Sequence, residues 1–96
     1  IMGKNLNYNY AFVMYDVKEK RVTKVFKLCK RYFSHFQNSV FRGDITSSNL
    51  IEFKSELNKI INVDEDTVCI IKLINNNSYA EEVLGVDKIN GEDLIF

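Results

Sequence analysis

The chain has 96 residues, 13 Lys and Arg balanced by 13 Asp and Glu, and neither Pro nor Trp. A single domain of that size buries only about 60–65% of the surface its unfolded chain exposes, so a partner surface adds stability, and no apolar run approaches the roughly 20 residues that span a bilayer. With no basic-then-apolar leader and no small-residue cleavage site, the expectation is a soluble cytoplasmic protein. In such a protein Cys29 and Cys69, far apart and without a Cys-x-x-Cys pair, are expected to be reduced core residues, with zinc or a disulfide the remote alternative.

The zero net charge hides an asymmetry. Residues 1–48 carry nine basic side chains against three acids, +6, and residues 49–96 carry four against ten, −6. That split suggests one polyanion-facing surface and one acidic face, unless folding interleaves the halves.

After a polar, Asn-rich start, Tyr10-Ala11-Phe12-Val13-Met14-Tyr15-Asp16 is a continuous apolar run closed by one carboxylate. The strand is expected to begin near Tyr8. Continuous apolarity predicts a strand covered on both faces, and the first charge after it should sit where the strand leaves the core. Asp16 is then either a turn cap or a group free for chemistry. Val22, Val25, Phe26, Cys29 and Phe33 recur at helical spacing and predict a helix over 20–33. Lys20, Lys24, Lys27 and Arg31 share another face of it, either a solvated face or an anion-binding row; the absence of acids after Glu19 favours the second.

Residues 34–45 are too few for another helix and predict a hairpin with a tight turn near Asn38-Ser39, and Gly43 marks a bulge or a close backbone approach. Thr46 is the expected N-cap of a second helix running to about Ile61, with Leu50, Phe53, Leu57 and Ile60 or Ile61 inward. Asp64-Glu65-Asp66 breaks the pattern, Thr67–Leu73 is a second β-forming run, and Asn75-Asn76-Asn77 is a turn. The order βαββαβ predicts an α/β (α+β) ferredoxin-like sandwich in one domain, with the first and last runs as the two central strands. Tyr79–Phe96 is then surplus to the fold, a C-terminal segment expected to pair with the partner subunit, and its Val83–Asp87 is the extra strand expected to pair with an exposed sheet edge.

Four segments together carry a resemblance: Tyr15-Asp16-Val17, Lys20-Arg21, Gln37-Asn38-Ser39-Val40-Phe41-Arg42-Gly43 and Asp64-Glu65-Asp66-Thr67-Val68. They resemble the small adaptation protein found universally in CRISPR systems, the metal-dependent nuclease subunit that partners the CRISPR integrase. The likeness runs over roughly residues 8–88. It implies a homodimer of ferredoxin-like folds whose C-terminal strand crosses to the partner, with Asp16 near the two-fold as catalytic residue and metal ligand. The resemblance further implies a magnesium ion held between the two carboxylates, which would offset their mutual repulsion.

The implied function is a magnesium-dependent endonuclease of RNA or DNA within the spacer-acquisition complex. The alternative is a non-catalytic dimeric scaffold that bridges integrase subunits and binds pre-spacer DNA, and a third candidate is an RNA-cleaving toxin of similar fold. Lys20, Arg21, Lys24, Lys27, His35, Ser39 and Arg42 are the expected nucleic-acid contacts. Arg21 and Lys24 stand where the family often places arginines early in the first helix, and His35 where some members have an arginine. Lys and His hold phosphate without the bidentate fork of Arg. His35 is discounted as a lone ligand or base. Ser39 either donates to phosphate or closes the turn, and Phe41 is either a core aromatic or a site residue.

Overall fold

The computed structural model describes residues 7–75 and 79–84. Its elements are β1 (Tyr10–Asp16), α1 (Glu19–Tyr32), β2 (Ser34–Gln37), β3 (Val40–Asp44), α2 (Ser47–Ile60) and β4 (Thr67–Leu73), the βαββαβ order of a ferredoxin-like α+β fold. The four strands form one sheet in the order β2-β3-β1-β4, and every neighbouring pair is antiparallel.

The central strands differ from expectation. They are β1 and β3, whereas β4, the last apolar run, lies at the sheet edge. An apolar run reports how many of a strand's faces meet other groups, but it carries no information about how many strands lie beside it. Half of β4 faces the core, where Val68 and Ile70 pack, and the other half is open, with Ile71 45% exposed. Cys69 falls on that open half and is exposed, so only Cys29 is a core cysteine. Burial pushes the Cys29 thiol up to about 12, which leaves it a small apolar group with little thiolate chemistry.

Both helices cover the same sheet face. Ala11, Val13 and Tyr15 of β1 and Phe41 of β3 meet Val25, Leu28 and Cys29 of α1 and Leu50, Phe53 and Leu57 of α2 in one buried cluster. Leu28 joins the α1 stripe in addition to the residues expected there, and Val22 and Phe26 form its half-buried flank. Phe53 is fully buried, with its ring edge against Tyr32 and Phe33 at 5.5 and 5.2 Å. Thr46 caps α2 as expected, its hydroxyl accepting from the Asn49 amide at 3.1 Å.

The hairpin turn at Asn38-Ser39 is also as expected, with Asn38 in the left-handed region at φ 46°. Gly43 is different. The irregularity in pairing lies in β2, between His35 and Gln37, and a side chain at Gly43 would meet only ordinary contacts at 3.7–3.8 Å. Its φ of 155° is what requires glycine, since a Cβ strains that backbone.

The turn after β1 is tied to the turn before β4 by one acid. The Asp66 side chain is completely buried and accepts from the Lys18 amide at 2.9 Å, the Asn62 amide at 2.8 Å and the Arg21 Nε at 2.6 Å. The Arg21 guanidinium also reaches Glu65 at 2.6 Å. These donors hold the Asp66 carboxyl far below the usual range, with the bond from Arg21 the largest cause. The halves of opposite charge are therefore interleaved, at least at this junction. No described helix is long and apolar enough to cross a membrane.

Two outcomes follow for stability. Thr46→Ala should cost about 1 kcal/mol in urea unfolding. Asp66→Asn should lower the melting temperature at neutral pH by roughly 5–10 °C. Because the folded carboxyl titrates below its ordinary value of 3.8, its contribution is complete above that value and is lost as pH falls below it. Urea midpoints of wild type and variant should accordingly converge in acid; profiles that stay parallel would mean the Asp66 charge is not what stabilises the junction.

Candidate active site

Period-two alternation fixes where Asp16 goes. Ala11, Val13 and Tyr15 point to the helices, so Phe12, Met14 and Asp16 point to the opposite, helix-free face. Cross-strand partners place Val40, Arg42, Cys69, Ile71 and Thr67 on that same face, Thr67 directly opposite Asp16. The open face is thus largely apolar, and the exposed Asp16 sits at its end. Among the described residues the Asp16 carboxylate has no hydrogen bond and no ion pair. The turn-cap reading of Asp16 therefore has no bond to support it.

One stretch of chain lies over this face. Tyr79 packs against Phe12 and Tyr10, with ring centroids 4.9 and 5.6 Å away, and donates its hydroxyl to that of Tyr10 at 2.7 Å. Burial, with this bond second, pushes Tyr10 up to about 12. Glu81 then pairs with Arg42, whose guanidinium also stacks 4.2 Å from the Phe36 ring centroid. Val83 and Leu84 are exposed and in no strand; the rest of the expected strand Val83–Asp87 lies outside the described residues, as does part of the Asn75–Asn77 turn.

The expected nucleic-acid contacts divide into two groups. Lys20, Lys24 and Lys27 are exposed on α1, which opens three residues after Asp16. Lys24 and Lys27 have no charged partner among the described residues, while Lys20 helps to lower the Glu65 carboxyl, after the bond from Arg21. Arg21 and Arg42, by contrast, are both engaged by acids of the second half of the chain. His35 donates from Nε2 to the Asn38 carbonyl at 2.8 Å and lies between Phe26 and Phe41, at 5.0 and 4.9 Å. That bond puts its proton on Nε2 and makes it a brace of the hairpin turn. The Ser39 carbonyl accepts from the Tyr15 amide at 3.1 Å, which sets the turn against the end of β1, one residue from Asp16.

Phe41 is fully buried, stacked on Tyr15 at 6.3 Å and edge-on to Phe26 at 5.3 Å. It is a core aromatic. Sequence reasoning missed Asp66 as the partner of Arg21, and Tyr79 and Glu81 as contacts of the open face. No local signal marks pairs such as Arg21 with Asp66 and Arg42 with Glu81, whose members stand 45 and 39 residues apart.

No group of three or more His, Cys, Asp or Glu that could hold a metal exists among the described residues. What one chain offers is a single unpaired hard-oxygen ligand at the end of an apolar face. Such a ligand fits half of a divalent-metal site, the chemistry of carboxylate oxygens being that of magnesium.

The profile of the family CRISPR associated protein Cas2 matches residues 9–81. A relative from Thermodesulfovibrio yellowstonii, named CRISPR-associated endoribonuclease Cas2 3, is 46% identical over 82% of this chain and 90% of its own. One from Archaeoglobus fulgidus, named CRISPR-associated endoribonuclease Cas2 2, is 41% identical over 90% of this chain and 95% of its own. Among solved structures, one described as the crystal structure of cas2 superposes with a TM-score of 0.77 at 37% identity, covering 84% of this chain and 91% of that one. Streptococcus pyogenes Cas2 superposes with a TM-score of 0.71 at 33% identity, over 79% and 99% of the two chains. With the family profile spanning most of its length and the fold shared with solved members, this chain belongs to the Cas2 family of CRISPR-associated proteins.

Proposed function

We propose that the chain is an endoribonuclease of CRISPR adaptation that works as a homodimer, with Asp16 of each subunit forming a shared magnesium site. The observation that carries this reading is the position of Asp16: exposed, unpaired, and at the end of an apolar sheet face that carries no helix. A second copy placed on that face covers Phe12, Met14 and Ile71 and brings two carboxylates together. Relatives named as endoribonucleases support the activity. Bound magnesium supplies Lewis-acid polarisation of the phosphate and a water of lowered pKa. The protein's own part is to hold the backbone on Lys24 and Lys27 and to fix the Asp16 strand end through the Ser39 carbonyl.

A second reading has its own observation. Among the expected nucleic-acid contacts the cations without a bonded acid are lysines, while Arg21 and Arg42 are engaged by acids of the same chain. Point-charge contacts of that kind serve backbone binding without bidentate positioning. They suit a dimer that bridges integrase subunits and holds pre-spacer DNA, in which cleavage is secondary.

Asp16→Ala separates the two. It should abolish metal-dependent cleavage of RNA, a loss of 100-fold or more on the order of other single catalytic groups, and leave thermal stability unchanged. Cleavage that survives removes Asp16 from the metal site; spacer integration with the partner integrase that persists without cleavage makes the scaffold the biological role. Separately, reversing Lys20, Lys24 and Lys27 to Glu should weaken RNA binding and flatten its dependence on salt, by about one unit of slope for each phosphate no longer neutralised. Unchanged affinity in filter binding would refute the α1 row as a nucleic-acid surface.

A further inference from the structure

Beside the end of β1, on the helix side of the sheet, a groove of about 550 Å³ opens between α1 and the Asn38-Ser39 turn. Its floor is apolar and aromatic, made by Tyr15, Val22 and Phe26. Lys27 and Lys30 stand on one wall. Asn38, Ser39 and the exposed Thr23 supply polar groups at the edges.

The volume lies in the range of small-ligand sites, and the combination of groups is selective. Lys30 Nζ lies 5.9 Å from the centroid of the Phe26 ring, so one cation and one aromatic surface are presented together. Phe26 is itself held edge-on by Phe41 and His35. His35 in turn bonds the Asn38 carbonyl, so the turn that walls the groove and the ring that floors it share one brace. Lys27 has no charged partner among the described residues. A simple anion has no use for the aromatic floor, and an aliphatic chain has none for two ammonium groups. A planar aromatic ring bearing a phosphate uses both.

We infer that this groove is a nucleotide subsite, taking one unstacked nucleobase against Phe26 with its phosphate on Lys27 and Lys30. The inference deepens the proposed function and rests on its nucleic-acid reading. Tyr15 lines the groove and Asp16 follows it at the end of the same strand, its side chain on the other face of the sheet, so a strand reaching from the groove to Asp16 passes around the end of β1. A base locked in a duplex cannot enter, which makes the groove a selector for unpaired strand. Thr23, Phe26, Lys30 and Asn38 are groups of the subsite that the nuclease reading does not use, while Lys27 and Ser39 serve both.

The test is titration of the isotope-labelled full chain with AMP, ribose 5-phosphate and octanoate, followed by backbone amide shifts. AMP should perturb Thr23, Phe26, Lys30 and Ser39 and bind about tenfold tighter than ribose 5-phosphate, the worth of one base stacked on an aromatic ring. Phe26→Leu should bring that ratio close to one. Thr23→Tyr, at an exposed position clear of the core, should fill the groove and remove the AMP shifts without unfolding the chain. Equal binding of AMP and ribose 5-phosphate, octanoate binding as well as AMP, or shifts confined to other surfaces would each overturn the subsite. So would the absence of shifts because a second copy, or residues 85–96, already fills the groove. The two readings fail separately. Asp16→Ala should leave AMP binding intact, so binding without any cleavage in wild type overturns the nuclease alone, whereas Asp16-dependent cleavage without AMP preference overturns the subsite alone.

Discussion

The buried Asp66 carboxylate is the point on which the two ends of the sheet depend. A fully buried charge is costly unless every lone pair is used, and here two backbone amides and the Arg21 guanidinium use them. One of those amides belongs to Lys18, two residues beyond Asp16, and the other to Asn62, in the loop that leads to β4. A single side chain thereby sets how the Asp16 strand end leaves the sheet and how its neighbouring strand enters. Arg21 is consumed in the process. The position that looks most like a phosphate ligand is a structural member, and the lysines one and two turns further along α1 are left exposed without a charged partner among the described residues.

What could be read from the sequence follows from which interactions are local. Periodicity located both helices, continuous apolarity the run that became β1, and segment length with a turn at Asn38-Ser39 the hairpin, while Thr46 announced the start of α2 because a cap acts over three residues. The same reasoning misplaced β4 in the sheet, since apolar alternation describes faces and not lateral neighbours. It also sent Cys69 to the core, because a half-covered strand and a fully covered one look alike when the uncovered half awaits another surface. Arg21 with Asp66, Arg42 with Glu81, and Tyr10 with Tyr79 join residues 39 to 69 positions apart, and nothing at either position foretells the other. Asp16 was legible as the end of a strand, but its direction became clear only once Val13 and Tyr15 were seen to face the helices.

The site that results is divided by the sheet. Its carboxylate lies on the face without helices, whereas its free lysines and the aromatic groove lie on the face with them, joined at the end where Ser39 meets Tyr15. His35 and Phe41 both serve this junction from inside: one ties the turn, the other packs the ring on which the turn rests. Neither needs to touch a substrate to matter. The open face itself is partly occupied by the chain's own Tyr79 and Glu81, so a surface brought onto it meets the two aromatic rings and one ion pair already in place.

The pairing of β1 with β4 has a consequence for how the protein comes to be made. β1 is the first strand of the sheet to be synthesised, yet its partner Thr67–Leu73 emerges about fifty residues later. Through that interval the helix–hairpin half can assemble along β3, but one edge of the Asp16 strand stays unpaired and Arg21 has no acid to meet. Pairings of such long sequence separation form late and slowly. The nascent chain therefore exposes, at the end of its most apolar strand, a bare edge and a basic helix. Until Thr67–Leu73 arrives, that edge is open to pairing with other chains.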